Sequence, residues 1–308
     1  MARGRVGLFL HDSENDYQKL MHGEAERATR RYSLQLDTQS ADKDADRQAR
    51  QIRAALSAPA STRPDLVLVS PVREQLLLPE LRTAASAGIS WAFLTRWLDE
   101  IHALRREYPQ VDIFSVSADQ REIGRLQGQQ LATLRQPGDE LVYISGPAGT
   151  SSARQRAEGV RAELEMSRGR RQTFYGDWSQ LSGRDAMNRW LVGFATAHLP
   201  PLVIVAQNDN MAIGAREAVE QTLRTSSKGA ATELRVLGCD GSAGFGQRLV
   251  SQGKLSATIV VPPVTGRAIE AFAHRVDGKG RPNAVEIVAV SSHPSLEALQ
   301  TKYRRLRL

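Results

Sequence analysis

The sequence predicts an α/β fold built around two parallel sheets. Short, continuous apolar runs alternate along the chain with longer amphipathic segments, as where Val203–Ala206 precedes Asn210–Thr222. This alternation is typical of βαβ units, and uninterrupted apolar runs are expected of strands that are covered on both faces. Because about ten strands would make an unusually long twisted sheet, two sheets of about five strands are favoured.

The element boundaries follow from these patterns. The predicted strands are Val6–Leu10, Ser33–Leu36, Leu66–Val69, Ser90–Leu94, Ile113–Val116, Glu140–Ile144, Thr173–Tyr175, Val203–Ala206, Val236–Cys239 and Ala257–Val260. The predicted helices are Tyr17–Tyr32, Asp42–Leu56, Glu80–Ala87, Gln120–Leu134, Ala153–Glu165, Gly183–Ala197, Asn210–Thr222 and Thr265–Arg275. The stretch Phe114–Gln120 (FSVSADQ) is predicted to carry the chain from the first half to the second.

Composition excludes several classes of protein. The 308-residue length fits about two domains. A net charge of +7 permits an anionic partner, but Lys and Arg are interspersed with Glu and Asp, so a solvated surface is favoured and no DNA-reading motif is visible. One cysteine, Cys239, excludes a disulfide within the chain, and the apolar VLGCD context indicates a core residue. Six scattered histidines lack metal-ligand spacing, so we expect no metal and no cofactor.

The sequence also bears on targeting. The apolar run Val6–Leu10 is too short for a signal-peptide core, and no stretch approaches the roughly 20 residues of a membrane span. We therefore expect a periplasmic protein if a leader has been removed, and a cytoplasmic one if Met1 is the native start.

Polar and aromatic side chains follow most of the predicted strands. In open parallel sheets, ligands bind at the carboxyl ends of the strands. An aromatic plane can cover the C–H face of a sugar ring, while carboxylate, amide and guanidinium groups pair its hydroxyls. The mixture therefore suits a polyhydroxylated ligand, and the candidate residues are Asn15, Tyr17, Arg96, Arg156, Trp178, Asn208 and Asp240.

Each candidate also has an ordinary structural interpretation. Asn208 can both donate to and accept from a pair of hydroxyls, yet amides at helix starts are often caps. Asp209 is interpreted as structural, a helix-start carboxylate that accepts backbone N–H groups. Arginines commonly form salt bridges, Trp178 could be packing, and Tyr17 could begin a buried helix face.

Catalytic motifs are missing from the sequence. No GxGxxG follows the first strand, and neither a GxxxxGK[ST] loop nor a GxSxG elbow occurs. The Gly-rich stretch Gly146–Ser152 (GPAGTSS) lacks the Lys that a nucleotide-binding loop requires. The sequence therefore favours a binding protein over an enzyme.

Four motifs in a fixed order carry a family resemblance. They are GPAGTSSARQRAEG (Gly146–Gly159), AQNDNMAIGA (Ala206–Ala215), VLGCDG (Val236–Gly241) and GKLSATIVVPP (Gly253–Pro263). With them, the chain from Val6 to Ala271 resembles the type I periplasmic sugar-binding proteins, especially the ribose-binding-like group, whose fold also forms the ligand domain of lactose-repressor-type regulators.

The resemblance implies a specific architecture. Two Rossmann-like, doubly wound parallel-sheet domains would be joined by three hinge strands, with the ligand in the cleft between them and hinge closure on binding. The implied domains are 1–117 plus about 262–285, and 118–261 plus about 286–308. The implied ligand-binding residues are Asn15, Tyr17, Arg96, Arg156, Trp178, Asn208 and Asp240.

The resemblance also implies partners. A monomeric receptor would bind a small sugar-like molecule and present it to an ABC-type membrane transporter or a signalling protein, with no direct contact to nucleic acid. The alternative is a cytoplasmic ligand-sensing regulator core that signals to a protein partner, since no DNA-binding module precedes the first strand.

Two positions depart from the family pattern. Ribose-like binders carry Asp-Arg after the fourth strand, where this sequence has Thr95-Arg96, and often an amide at the third hinge, where Val261 or a neighbour stands. Fewer polar partners suit a ligand with fewer hydroxyls, a deoxy or substituted sugar, or a molecule other than a sugar.

Overall fold

The chain folds into two compact units, which we describe from a computed structural model covering residues 4–96, 98–164, 171–194, 199–225, 232–278 and 280–305. Unit 1 comprises the chain up to Ala118 together with Pro263–Val288, and unit 2 comprises Asp119–Pro262 together with the chain from Ala289. The polypeptide therefore passes from one unit to the other three times. The ends of the helices predicted to reach Glu165 and Ala197 lie outside the described residues.

Strands and helices alternate along most of the chain. The strands are β1 (Arg5–Leu10), β2 (Gln35–Ser40), β3 (Leu66–Val69), β4 (Ser90–Leu94), β5 (Ile113–Ala118), β6 (Glu140–Ser145), β7 (Arg171–Tyr175), β8 (Leu202–Ala206), β9 (Leu234–Leu237), β10 (Thr258–Val260), β11 (Val285–Val288) and β12 (Ser291–His293). The helices are α1 (Asp16–Arg31), α2 (Ala45–Leu56), α3 (Leu78–Ser86), α4 (Ile101–Glu107), α5 (Gln120–Leu134), α6 (Ser151–Leu164), α7 (Gln180–Leu191), α8 (Asp209–Thr225), α9 (Gly246–Ser251), α10 (Thr265–Val276) and α11 (Leu296–Arg305), with 3-10 turns at Glu74–Leu77 and Val192–Phe194.

Unit 1 is built on a six-stranded parallel sheet in the order β11-β5-β4-β3-β1-β2. Every residue of the central strands β3 and β4 is buried, as expected of strands covered by helices on both faces. Trp91 and Phe93 of β4 pack with ring centroids 5.6 Å apart in the core that α2 and α3 cover. This core holds the carboxyl ends of β1 and β4 at one edge of the sheet.

Arginines hold the late strand β11 beside β5. Asp112, which precedes β5, is buried and pairs with Arg281 Nε at 3.1 Å and Arg275 Nε at 3.5 Å. Arg105 of α4 donates to the carbonyls of Ile113 and Pro282, both at 2.9 Å. These contacts join segments about 170 residues apart in sequence, and they fix the loop that leads into β11.

Unit 2 is built on a four-stranded parallel sheet in the order β7-β6-β8-β9. Parallel bridges from Leu237 to Ala257 and from Asp240 to Val260 continue it towards β10, which pairs antiparallel with β12. On α5, the buried Gln127 amide donates to the carbonyls of Ala206 and Gly238. One turn later, Gln130 donates to the Thr258 carbonyl and the Ser292 hydroxyl. One face of α5 thus ties β8 to the segments that follow it.

Two pairs of helices in unit 2 cross with their backbones nearly in contact. A Cβ added at Gly124 of α5 would lie 2.1 Å from the Arg156 carbonyl oxygen, and one at Gly159 of α6 would lie 2.1 Å from the Arg121 oxygen. At the α7–α8 crossing, Gly183 and Gly214 have the same role, with Gly214 opposite the Gln180 carbonyl. Glycine is required at these positions because any side chain would overlap backbone that cannot rotate away.

The predicted α/β class with parallel sheets is confirmed, and most predicted strands and helices fall within a few residues of those observed. The prediction for β2 was wrong at both ends, because this edge strand is polar and half exposed and has no continuous apolar run. Strands β11 and β12 and helices α4, α9 and α11 were missed. The strands are three or four residues long, and two of the helices have only six or seven. Finding β11 also raises the first sheet from about five strands to six. Within the described ranges, none of the helices combines the length with the apolar composition that a membrane span requires.

The α7–α8 crossing generates a stability prediction. Gly214→Ala should lower the free energy of unfolding by about 1–3 kcal/mol through overpacking, because the new Cβ would lie 1.9 Å from the Gln180 oxygen. This loss is expected although Ala is a better helix former than Gly. Urea unfolding measures the change. Gly244→Ala is the matched control, since a Cβ there meets no atom within 4 Å. Equal stabilities of the two variants would contradict the crossing described here.

Candidate functional site

Four of the seven sequence-predicted residues come together in unit 2, where β6, β7, β8 and β9 end. Arg156 lies on α6, which follows β6, and Trp178 follows β7. Asn208 follows β8, and Asp240 follows β9. Because the strands are parallel, their carboxyl ends share one edge of the sheet, which brings residues that are far apart in sequence into contact.

Arg156 is the centre of this group. Its side chain is buried, and its Nη1 lies 3.9 Å from Asp240 Oδ1. The guanidinium carbon lies 5.6 Å from the centroid of the Trp178 ring, within the range of a cation–π contact. Its Nε donates to Gln120 Oε1 at 2.8 Å, and its Nη1 donates to the Gln207 carbonyl. The planar group is thus held by both charge and hydrogen bonds.

Trp178 packs against glycine at the end of β6. A Cβ added at Gly146 would lie 2.1 Å from the indole, so only glycine leaves room for this ring. Trp178 is largely buried and belongs to the hydrophobic core of unit 2. Its carbonyl accepts a hydrogen bond from Asn208 Nδ2 at 2.8 Å. The indole is therefore held against Gly146, and the Asn208 amide holds the backbone that carries it.

Asn208 is the N-cap of α8. Its Oδ1 accepts from the Met211 backbone N–H at 2.9 Å, three residues into the helix, which is the usual capping geometry. Its Nδ2 binds Trp178, so these two bonds use one of two amide protons and one of two acceptor positions on the oxygen. The side chain is only 2% exposed.

Asp209, the first residue of α8, has a structural contact of the kind that the sequence interpretation proposed, because its carboxylate accepts a backbone N–H group. Its buried carboxylate accepts from the Gly241 N–H at 2.8 Å and from Thr258 Oγ1 at 2.7 Å. A Cβ at Gly238 or Gly246 would lie within 2.1 Å of its oxygens. The carboxylate therefore ties α8 to the loop that carries Asp240, while Asn208 accepts the capping bond from the Met211 N–H.

Gln207 is the residue that sequence reasoning missed. It is fully buried, and its Nε2 donates to Tyr143 Oη at 2.7 Å and to the Ala153 carbonyl at 2.9 Å. Its Oε1 accepts from the Gly146 N–H at 2.8 Å and from Ser145 Oγ at 3.4 Å. All four positions of the amide are used. The signal in the sequence was a long polar side chain directly after an uninterrupted apolar strand, where a buried amide needs several partners.

Three residues that follow strands have left-handed backbone without being glycine, two of them in unit 2 and Thr95 in unit 1. The φ angles are +73° at Trp178, +99° at Asp240 and +63° at Thr95. Such a conformation is unusual for bulky or β-branched residues and costs on the order of 1–3 kcal/mol each. Strain of this kind is typical of positions where side-chain direction has a functional purpose.

The other three predicted residues lie in unit 1, at the ends of β1 and β4. Asn15 is the N-cap of α1, and its Oδ1 accepts from the N–H groups of Tyr17 and Gln18. Tyr17 is buried in the first turn of α1. Arg96 is buried after β4, where its Nη1 donates to the Thr95 hydroxyl at 3.2 Å and its Nε lies 3.9 Å from Glu74 Oε2. β3 separates β1 from β4 in the sheet, so these side chains lie at the same sheet edge.

Among the described residues, no group of three or more His, Cys, Asp or Glu side chains could hold a metal ion. The site instead offers one guanidinium, one carboxylate, one amide and an indole face. These groups suit a neutral molecule with several hydroxyls and an apolar face.

Comparison with solved structures identifies the class of fold. A periplasmic solute-binding protein of an ABC transporter from Actinobacillus succinogenes 130z, with bound D-allose, superposes with a TM-score of 0.78 at 23% identity, over 97% of this chain and 99% of that one. The periplasmic binding component of the arabinose ABC transporter from Shewanella sp. ANA-3 gives 0.78 at 19% identity, over 98% and 96%. The two doubly wound units are therefore those of the type I periplasmic binding protein fold.

The family follows from sequence. The family described as "Periplasmic binding protein domain" matches residues 6–279, and the chain belongs to it. The ribose import binding protein of Escherichia coli K12 is 33% identical over 141 residues, 46% of this chain and 44% of that protein. The D-ribose/D-allose-binding protein of Pseudomonas aeruginosa PAO1 is 26% identical over 195 residues, 63% of this chain and 57% of that protein. The aligned regions thus span about half the length of these relatives.

Cys239 generates a prediction on the pH dependence of stability. Complete burial raises the pKa of its thiol far above the usual range, whereas the unfolded thiol ionises at about pH 8.5. A raised folded pKa means that stability is fully present below the unfolded pKa and declines above it, by at most about 1.4 kcal/mol per pH unit. We expect the native chain to lose more stability between about pH 8.5 and 10 than Cys239→Ala loses.

Urea unfolding at several pH values measures the difference, and the Cys239→Ala variant is itself the control for all other titrating groups. The same burial predicts that a thiol reagent modifies Cys239 only when unit 2 opens. Parallel pH profiles for the native chain and the variant, or rapid modification of the folded protein, would contradict this account.

Proposed function

We propose that this chain is a non-enzymatic receptor that binds a small sugar or sugar-like molecule. The observation that carries the proposal is the cluster of Arg156, Asp240 and Trp178 at the strand ends of unit 2. There, a guanidinium and a carboxylate lie within 3.9 Å of each other, beside a fixed indole face. Hydroxyl groups can donate to the carboxylate and accept from the guanidinium, while ring C–H groups lie on the indole.

Left-handed backbone at two of these residues supports a binding role. Trp178 has a φ of +73° and Asp240 a φ of +99°, and each of these backbone conformations costs free energy. Gln207 accepts from the Gly146 N–H, next to the Trp178 ring, and Asp209 accepts from the Gly241 N–H, next to Asp240. Strained backbone that holds an aromatic and an acidic side chain at the strand ends is what a ligand-binding site requires, and it lowers the stability of the fold.

The relatives support the same class of ligand. The proteins that align with this chain include ribose import binding proteins, a D-ribose/D-allose-binding protein, and a xylitol-binding protein of Mycolicibacterium smegmatis that is 24% identical over 77% of this chain. The ligands in these names are a small polyol, a pentose and a hexose. We therefore propose a ligand of this size, with Asn15, Tyr17 and Arg96 of unit 1 contributing further contacts and Asn208 completing the unit 2 site.

The proposal extends to mechanism, partner and compartment. Ligand binding would shift the protein towards a closed form by hinge closure, as the family resemblance implies. The closed form would be recognised by a membrane transporter of the ABC type, and the chain would act in the periplasm. Thr95 and Val261, which replace polar residues of ribose-like binders, favour a ligand with fewer hydroxyls than ribose-like binders accept.

The first experiment is a thermal-shift screen of the purified chain with D-ribose, D-allose, L-arabinose, xylitol, 2-deoxyribose and myo-inositol. A ligand at about 100 times its dissociation constant should stabilise the fold by about 2.7 kcal/mol. Stabilisation by one or more of these compounds is the expected result. A folded protein that responds to none of them would count against a sugar ligand.

Substitutions then test the site with the compound that binds best. Arg156→Ala and Asp240→Ala should each weaken binding by about 2–3 kcal/mol, because each removes a charge-assisted hydrogen bond to the ligand. Titration calorimetry measures the affinity. Arg154→Ala is the matched control, since this arginine lies two residues away on the same helix but is 67% exposed and pairs only loosely with Glu158 at 3.9 Å. Native affinity in both site variants would exclude this site.

A further inference from the structure

The first turns of α5 contact Arg156 at two points that no motif in the sequence indicated. Gln120 contacts its guanidinium, and Gly124 contacts its backbone. Neither residue was among the sequence-predicted ligand contacts, yet both act on the arginine that lies at the centre of the unit 2 site.

Gln120 fixes the guanidinium from one side. Its side chain is 5% exposed, and its Oε1 accepts a hydrogen bond from Arg156 Nε at 2.8 Å. The Gln207 carbonyl accepts from Nη1 of the same group. Because a guanidinium is rigid and planar, bonds at two different nitrogens set both its position and the tilt of its plane. The guanidinium is thereby held with Nη1 3.9 Å from Asp240 Oδ1 and its carbon 5.6 Å from the centroid of the Trp178 ring.

Gly124 fixes the backbone from which this side chain extends. A Cβ at position 124 would lie 2.1 Å from the Arg156 carbonyl oxygen and 2.9 Å from the nitrogen of Val160. Gly159 makes the reciprocal approach from α6 to the Arg121 carbonyl. At Gly124 and Gly159 the two backbones approach without a side chain between them, and this sets the distance of α6 from α5 at the residue that carries the guanidinium.

We propose that Gln120 and Gly124 are positioning residues for ligand binding, with Gln120 setting the guanidinium of Arg156 and Gly124 setting its backbone. The proposal rests on the proposed function of Arg156 as a ligand contact. α5 begins immediately after Asp119, its N-cap, where the chain first enters unit 2. The residue that orients Arg156 is therefore the first residue of that helix.

The test compares Gln120→Leu with Gln120→Glu, using D-ribose as the probe and calorimetry as the first measurement. Leu removes the acceptor and should weaken D-ribose binding at least about tenfold, since a hydrogen bond to a charged group has been lost. Glu keeps an oxygen at the same place and should bind within about threefold of the native chain. Rescue by Glu separates positioning from loss of packing, because Leu and Glu both keep the bulk of the side chain.

The second measurement does not involve a ligand. The Arg156 Nε–H should give a nuclear magnetic resonance signal that is protected from solvent exchange, assigned by its loss in Arg156→Lys. We expect Gln120→Leu to shift this signal and remove its protection, and Gln120→Glu to keep it protected. Gly124→Ala should also shift it and weaken D-ribose binding, although Ala is the better helix former. If Gly124→Ala does not fold, the Gln120 pair still decides the question for the side chain.

The outcomes distinguish the two proposals. The native chain could fail to bind D-ribose but show the protected Arg156 signal, with that signal lost in Gln120→Leu. This result would count against ribose as the ligand and would support the positioning of Arg156 by Gln120. Native D-ribose affinity in Gln120→Leu, with an unchanged Arg156 signal, would overturn the positioning proposal while leaving the receptor function intact. Equal loss of affinity in the Leu and Glu variants would also overturn it.

Discussion

The unit 2 site depends on the buried side-chain amide of Gln207. Four hydrogen bonds join this amide to two residues at the end of β6, to Tyr143 within it and to the first turn of α6, and its backbone carbonyl accepts from Arg156. A buried amide left with an unmade bond costs about 1–3 kcal/mol, so the arrangement is stable only when every partner is in place. The strand end, the helix start and the guanidinium are therefore fixed together, and none can move without breaking a buried bond.

Buried polar groups of this kind recur throughout unit 2. Asp209 ties the loop that carries Asp240 to Thr258, and Gln127 joins the ends of β8 and β9. Parallel strands leave backbone groups exposed where the ladder ends, and these must find partners if water is excluded. Long amides and one carboxylate satisfy them here. The site thus combines a rigid polar frame with the left-handed backbone at Trp178 and Asp240.

The alternation of apolar runs and amphipathic segments was enough to predict the α/β fold with parallel sheets, because buried parallel strands need continuous apolar runs whatever their neighbours are. The sequence also indicated the four residues that meet in unit 2, since the carboxyl ends of parallel strands converge. It did not reveal which polar side chains form hydrogen bonds within the protein and which are available to a ligand. Gln207 and Gln120 differ from a ligand-binding amide only in what surrounds them, and the glycines of the crossing helices look like ordinary helix interruptions. Strand β11 was missed because four half-buried residues have no pattern of their own.

The three passages of the chain between the units have a consequence for synthesis. Strands β1 to β5 leave the ribosome early, but the sixth strand of their sheet follows only after most of unit 2 has been made. Until then Asp112 has neither Arg275 nor Arg281 beside it, and the outer edge of β5 has no neighbour. The sheet of unit 1 therefore cannot be completed until β11 has been translated. The nascent chain remains incompletely folded until nearly all of its residues have been translated. An incompletely folded chain is the form that a translocation channel or a chaperone can accept.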